Sequence, residues 1–205
     1  MIDRAFIDEL ASKAPTPGGG GASAYCGALA AALSSMVCNL TLGKKAYEAV
    51  ESDVRVACDE LATLQDLLIC LIDEDALAFT PLAAAYALPR ETPEEQALKD
   101  AALQEALIDA CEVPLSIMRA CARVIDLVQV LVEKGSRLAL SDAGVSALFA
   151  KAALQGASLN VLINCSSMND RMRAGAYLDE VRGLMDEYVP RAERAYETVV
   201  KELEA

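Results

Sequence analysis

The stretch ASAYCGALAAALSSMVCNLTLG, residues 22–43, contains no charged side chain and consists largely of Ala, Ser and Leu. It is long enough to span a bilayer. Its neighbours, however, are acidic and amphipathic, and they supply none of the anchors that flank membrane spans. A helix that is apolar on all sides is also what the centre of a soluble bundle requires. We therefore interpret residues 22–43 as a buried central helix and expect no membrane partner.

The amino-acid composition indicates that the rest of the chain is helical as well. Of 205 residues, 54% are hydrophobic but only 4% are aromatic, and much of the apolar content is Ala and Leu. Such a composition favours tightly packed helices over sheets. We predict an all-α fold, a single-domain bundle (residues 1–205) of long, partly kinked helices with two largely buried central helices.

Breaks in the pattern set the predicted helix bounds. The strongest break is Ala14–Gly21, and we expect Pro81 to kink or divide one helix and Pro114 to interrupt another. Small residues recur along both apolar helices, which indicates close helix packing either within the bundle or across a dimer seam. The predicted helices are 2–11, 22–42, 47–88, 94–134, 142–166 (with Ser141 as its N-cap) and 174–205.

Charge and cysteine content narrow the function classes. The net charge of −13 argues against nucleic acid and against anionic membrane surfaces. The seven cysteines form no C-x-x-C pair and the chain has no His, so we expect buried, reduced thiols and no metal site. The start MIDRAFIDEL is acidic and amphipathic, unlike a signal peptide. These features predict a cytoplasmic protein.

A glycine run provides the first candidate binding site. Gly18, Gly19, Gly20 and Gly21 follow Pro15-Thr16-Pro17 and lead directly into the apolar helix. The start of a helix has unpaired N–H groups and a partial positive charge, which suit a carboxylate or phosphate. A flexible hinge between helices is the other interpretation, and four glycines exceed what a hinge needs.

Without His, proton transfer would depend on carboxylates, Cys, Tyr, Lys or water. Asp73, Asp75 and Asp142 stand out because their neighbours are apolar. Residues two apart point to nearly opposite sides of a helix, so Asp73 and Asp75 cannot both face one cleft. Asn160 and Asn164 share one helix face, where they would either bond a neighbouring helix or recognise the amide edge of a heterocycle.

Five segments, taken in order, resemble one known family. Each is weak alone, but together they cover essentially the whole chain and resemble the formiminotransferase-cyclodeaminase C-terminal family, which includes stand-alone methenyltetrahydrofolate cyclohydrolases. The segments are Pro15-Thr-Pro-Gly-Gly-Gly, Met36-Val-x-Asn-Leu-Thr-x-Gly-Lys-Lys-x-Tyr, Asp73-x-Asp-Ala-x-Ala-Phe, Ser141-Asp-Ala-Gly-Val and Gly156-Ala-x-x-Asn-Val-x-Ile-Asn.

The resemblance implies a dimeric all-helical protein that binds a polyglutamylated folate in a cleft and uses no other cofactor. It implies hydrolysis of 5,10-methenyltetrahydrofolate to the 10-formyl form, or cyclisation of 5-formiminotetrahydrofolate with release of ammonia. A non-catalytic folate carrier or interaction protein is the alternative from another class.

The resemblance also suggests roles for particular residues. We expect Asp75 and Asp142, with Asp73 in reserve, to exchange protons with the substrate. The glycine run and Lys44 or Lys45 would hold the glutamate tail, although helix capping explains the lysines equally well. Family members often carry Asn just before Ser-Asp-Ala, where this chain has Arg137, which puts substrate preference in question. The predicted binding residues are Gly18, Gly19, Gly20, Gly21, Lys44, Lys45, Arg137, Ser141, Asn160 and Asn164.

Overall fold

A computed structural model of the protein describes residues 4–205. Within that range the chain forms α-helices and short 3-10 helices and no strand, which confirms the all-α prediction. Ile2 and Asp3, the start of the first predicted helix, lie outside the described residues. The helices are α1 Arg4–Leu10, α2 Gly19–Thr41, α3 Glu51–Ala87, α4 Pro93–Lys134, α5 Leu140–Ser166 and α6 Arg171–Glu204, and 3-10 helices span Lys45–Val50 and Arg137–Ala139.

Helices α2 and α5 lie antiparallel at the centre of the bundle, where small residues let them approach closely. The Oγ atoms of Ser34 and Ser146 are 2.8 Å apart, and the Ser146 hydroxyl also lies 2.7 Å from the Ala30 carbonyl. Near the other end of the pair, a side chain on Gly156 would overlap the Ser23 hydroxyl. The predicted close packing within the bundle is therefore confirmed.

Both central helices pass the length and composition test for a membrane span. Gly19–Thr41 has a mean hydropathy of 1.4 and Arg137–Ser166 one of 1.3, and 56% and 44% of their apolar windows are buried inside the chain. Their buried faces join one hydrophobic core with α3, α4 and α6. The prediction of two central helices is confirmed, and each helix also keeps an apolar face exposed.

Neither internal proline divides its helix. Both α3 and α4 continue through their internal prolines, Pro81 and Pro114. The predicted interruption at Pro114 is wrong. A proline removes one backbone donor, whereas α4 is held on both sides of it by buried side chains such as Leu107, Leu115 and Met118.

Four helix starts differ from the prediction by more than one residue. Helix α3 begins at Glu51, after the 3-10 helix, and α6 begins at Arg171. Helix α2 begins at Gly19, so most of the glycine run is helical instead of forming a loop. Helix α5 begins at Leu140 with Ala139 as N-cap, and the prediction of Ser141 as N-cap is wrong. The reason is the 3-10 turn Arg137–Ala139, which leads directly into α5, so Ser141 already lies within its first turn.

Most of the cysteines are buried or half-buried free thiols, as predicted. All seven are free thiols, and Cys38, Cys111, Cys121 and Cys165 are buried. Cys70 is exposed, so the prediction of a buried thiol is wrong there. It lies beside the exposed Ile69 on α3, outside the stripe formed by Leu64, Leu68 and Leu71 that faces the core.

Candidate active site

The N-terminus of α2 leaves backbone donors unpaired. Gly18 is its N-cap and supplies no side-chain hydrogen bond, and the first helical residues have no carbonyl four positions earlier in the helix. The Gly21 N–H donates to Asp75 Oδ2 at 2.8 Å. Within residues 4–205, no acceptor pairs with the N–H groups of Gly19 or Gly20. Two donors and the positive end of the helix dipole are thus free to meet a ligand.

Asp75 reaches this helix end from α3, and glycine makes its approach possible. A Cβ atom on Gly20 would overlap the Asp75 carboxylate, and one on Gly21 would lie 3.8 Å from Oδ2. Position 20 therefore accepts no side chain unless Asp75 moves. The glycine run and the acid, 54 residues apart in sequence, form one structural unit.

The surroundings of Asp75 alter its proton affinity. Burial raises the pKa of this carboxyl above its ordinary value, and the Gly21 N–H opposes the shift by stabilising the ionised form. Burial is the larger effect, so the pKa lies nearer neutrality than that of an exposed Asp. A carboxyl of this kind is suited to exchange protons with a substrate.

Two amides from α5 face the same space. A Cβ on Gly19 would lie 3.6 Å from both amide atoms of Asn160, whose Nδ2 donates to the Gly156 carbonyl at 3.1 Å. Asn164 Nδ2 donates to the Ala110 carbonyl of α4 at 2.6 Å. With their nitrogens occupied, both amides offer Oδ1 as an acceptor.

These groups enclose a pocket of about 220 Å³. Drug-sized ligands commonly occupy roughly 300–1,000 Å³, so this pocket accommodates one end of such a molecule.

Sequence reasoning missed Phe79, although its position four residues after Asp75 places both on one helix face. Ala110 carries no sequence signal. The lining residues are Pro15, Thr16, Gly18, Gly19, Gly20, Asp75, Ala78, Phe79, Ala110, Asn160, Ile163 and Asn164.

The other predicted site residues lie elsewhere. Asp73 is exposed and does not line the pocket. Asp142 is half-buried in the first turn of α5. At about 1.5 Å per residue it lies roughly 27 Å along that helix from Asn160. Arg137 and Ser141 are close to Asp142 in sequence. Hydrogen bonds from Ser136 to Thr41 and from Arg137 to Tyr47 place Lys44 and Lys45 at the same end of the bundle, beyond the C-terminus of α2. Within the described chain the predicted site residues therefore form two separate groups.

We call Lys44, Lys45 and Arg137 the basic end of α2. Arg137 donates its N–H to the Tyr47 hydroxyl at 3.0 Å and pairs through its guanidinium with Glu202 at 3.0 Å. The Arg137 N–H lowers the pKa of Tyr47. Lys44 and Lys45 are exposed, and neither forms an ion pair within residues 4–205. The basic end is a charged surface and lines no part of the pocket.

Comparisons with known proteins agree with this architecture. Residues 3–183 match the family described as formiminotransferase-cyclodeaminase. A methenyltetrahydrofolate cyclohydrolase of Methylorubrum extorquens is 48% identical over 194 residues, which are 95% of this chain and 93% of that protein. The rat formimidoyltransferase-cyclodeaminase is 36% identical over 82% of this chain, but the match spans 31% of that longer protein.

A solved structure shares the fold. The crystal structure of formiminotetrahydrofolate cyclodeaminase from Thermotoga maritima has a TM-score of 0.83 and 31% identity, and the match covers 100% of this chain and 96% of that one. Together with the family match over most of the sequence, this agreement confirms the resemblance seen in the five segments. The chain belongs to the formiminotransferase-cyclodeaminase family.

Proposed function

We propose that the protein is a methenyltetrahydrofolate cyclohydrolase, which adds water to 5,10-methenyltetrahydrofolate and yields 10-formyltetrahydrofolate. The relative with that name matches nearly the full length of both chains. The observation that carries the proposal is the Asp75 carboxyl, half-buried in a pocket and bonded to the N-terminus of α2. We propose that all 205 residues act as one domain in this role.

The substrate chemistry explains the need for such a carboxyl. The carbon between N5 and N10 belongs to an amidinium cation, which an ionised carboxylate stabilises. Asp75 takes one proton from water while the hydroxyl oxygen bonds to that carbon. As the bond from carbon to N5 breaks, the proton on Asp75 passes to N5 and the hydroxyl proton leaves to solvent. The products are the N10-formyl group and one released proton.

Other pocket groups position the substrate in this proposal. The Gly19 and Gly20 N–H groups bind a substrate oxygen, since they are unpaired donors at a helix start. Phe79 supplies an aromatic surface beside Asp75 for the bicyclic head. The pocket holds the head alone, so the glutamate tail extends beyond it.

We propose further that two copies pair through an apolar face formed by α2 and α5. In the segment 143–166, Lys151 is the only charged residue, and 22–43 has none. Each side chain of this face is between 36% and 42% exposed, and an uncharged face of this kind suits a second copy of itself. The face comprises Leu29, Met36, Leu40, Val145, Leu148 and Phe149.

A two-fold axis perpendicular to α2 would place the glycine end of one subunit beside the basic end of its partner. Lys44 and Lys45 of the partner subunit would then bind the polyglutamate tail, with Arg137 and Ser141 nearby, and Asp142 of the partner subunit would face the bridge carbon. This arrangement reunites both groups of predicted site residues. It also explains how a chain of charge −13 attracts an anionic substrate.

Light scattering after size exclusion tests the pairing. We expect a mass about twice 21.7 kDa. Leu148→Glu should produce monomers because it buries a charge in the apolar face. Leu98→Glu, on a 65% exposed residue of α4, is the matched control and should remain dimeric. A monomeric wild-type protein that turns over substrate normally would contradict the proposed dimer.

Cyclisation of 5-formiminotetrahydrofolate is the second candidate, favoured by the names of the Thermotoga and rat relatives. There the same carboxyl would protonate the departing amine. Ultraviolet absorbance of the methenyl form separates the candidates, because it falls with the first reaction and rises with the second. Binding of both folates with no absorbance change beyond the spontaneous rate would indicate the non-catalytic carrier and contradict both enzymatic assignments.

The remaining properties follow from the same proposal. We propose a cytoplasmic protein that needs no cofactor besides its folate substrate, because Asp75, water and the cationic substrate together supply the chemistry. Turnover should persist after dialysis against a chelator. A loss restored by a specific metal would contradict this part of the proposal.

A further inference from the structure

Pro114 leaves the Ala110 carbonyl without its usual helical partner. In a regular α-helix, each carbonyl accepts the N–H of the residue four positions later, and proline has no N–H. Ala110 and Pro114 are both buried, and α4 continues through them. A buried carbonyl without a donor is unfavourable, so another donor must satisfy it.

That donor is Asn164 of α5, whose Nδ2 lies 2.6 Å from the Ala110 oxygen. The contact fixes which way the amide faces, because a flipped amide would set Oδ1 against the carbonyl oxygen. Asn164 Oδ1 therefore remains an acceptor, and both residues line the pocket. Because Pro114 provides no N–H, the Ala110 carbonyl of α4 accepts from Asn164 and so orients this side chain of α5.

We infer that Pro114 is a positioning residue that acts through Asn164. By leaving the Ala110 carbonyl free, it locks the Asn164 amide with Oδ1 presented to the N–H groups of the bound heterocycle. The inference rests on the proposed function, since a reduced pterin has a donor-rich edge. Asp75 and Asn160 add acceptors in the same pocket, which strengthens the preference for such an edge.

A double-mutant cycle on the whole protein tests this inference, with tetrahydrofolate binding at equilibrium and turnover of methenyltetrahydrofolate as readouts. Pro114→Ala restores the helical N–H, and Pro114→Val does so while filling more of the proline's volume. We expect each to weaken tetrahydrofolate binding roughly three- to tenfold, the effect of one oriented hydrogen bond. We expect kcat to change less than about twofold, because the Asp75 contact with α2 is untouched.

Asn164→Ala should weaken binding by a similar factor. Adding Pro114→Ala to it should weaken binding no further, because the proline acts only through that amide. Pro190→Ala is the matched control, since it removes a half-buried proline inside α6 that lies outside the pocket. It should leave binding and turnover unchanged.

The outcomes separate the inference from the proposed function. A wild-type protein that converts neither folate overturns the proposed function. A wild-type protein that converts methenyltetrahydrofolate, with additive effects of the two substitutions, overturns the role of Pro114 alone. Unchanged binding in either folded Pro114 variant overturns it as well.

Discussion

The two ends of α2 contrast in how their backbone groups are satisfied. At the C-terminal end, the Leu42 N–H donates to Cys38, Thr41 bonds to Val37, and Ser136 donates to Thr41. At the N-terminal end, the Gly21 N–H donates to Asp75 and the Ala22 N–H to the Gly18 carbonyl, whereas the Gly19 and Gly20 N–H groups have no acceptor within the described chain. The C-terminal end is thus bonded to the segment that precedes α5, and it carries exposed cations instead of free N–H groups.

This contrast indicates which end of α2 is suited to a reacting ligand. Unpaired donors matter where another element places a partly desolvated acid beside them and a pocket excludes bulk water. At the basic end the charges are solvated and lie outside the pocket, so by themselves they bind anions weakly. We propose that the reaction takes place at the glycine end, and that the basic end of a second subunit binds the glutamate tail of the substrate.

Asp75→Asn tests the glycine end most directly. The amide keeps an oxygen to accept the Gly21 N–H but cannot exchange protons, so turnover should fall by about 10²- to 10⁴-fold. Initial rates of methenyltetrahydrofolate hydrolysis, corrected for the spontaneous reaction, measure the effect. Glu74→Gln removes the adjacent exposed charge and should retain turnover. Full activity of Asp75→Asn would refute the assignment.

Mixing two inactive variants tests whether the ends belong to different subunits. Asp75→Asn and Asp142→Asn should each be inactive alone. After subunit exchange at equal amounts, about a quarter of wild-type activity should return, because each mixed dimer has one intact site. No recovery would place both acids in the same subunit's site. An active Asp142→Asn protein would show that Asp142 takes no part in the reaction.

Gly20→Ala tests the close approach itself. The new methyl group overlaps the Asp75 carboxylate, so we expect a loss of about 1–3 kcal/mol in the free energy of unfolding, together with lower turnover. Urea denaturation measures the first quantity. Gly183→Ala in α6 meets nothing within 4 Å and should instead gain roughly 0.5–1 kcal/mol. Equal behaviour of the two variants would contradict the predicted overlap.

The smallest effect concerns pH. Because burial raises the pKa of Asp75, its ionisation destabilises the folded state as the pH rises above the ordinary value of 3.8, and this penalty is absent below it. The Asp75→Asn protein should therefore be more stable than wild type at neutral pH, and the difference should shrink in acid. Urea titrations at several pH values check the trend. A difference that grows in acid would mean that the folded state lowers this pKa.

Much of the site could be predicted from the residues alone. A glycine run before an apolar helix indicates free backbone donors, and acids within apolar helices indicate proton exchange. The same reasoning placed Asp142 and the lysines beside Asp75, which the structure of the chain does not do. Sequence patterns give the face of a helix on which a residue lies, but they do not give its level along a neighbouring helix.

The sequence by itself determined the helical class, the two apolar central helices and the family, because composition, periodicity and motif order are properties of the chain. Only the tertiary structure decided that Asp75 is the acid at the glycine end, that Phe79 and Ala110 line the pocket, and that α4 passes through Pro114. The physical reason is that these features depend on the antiparallel register of α2 and α5 and on contacts with α3 and α4. Packing between distant segments sets that register, and no local pattern encodes it.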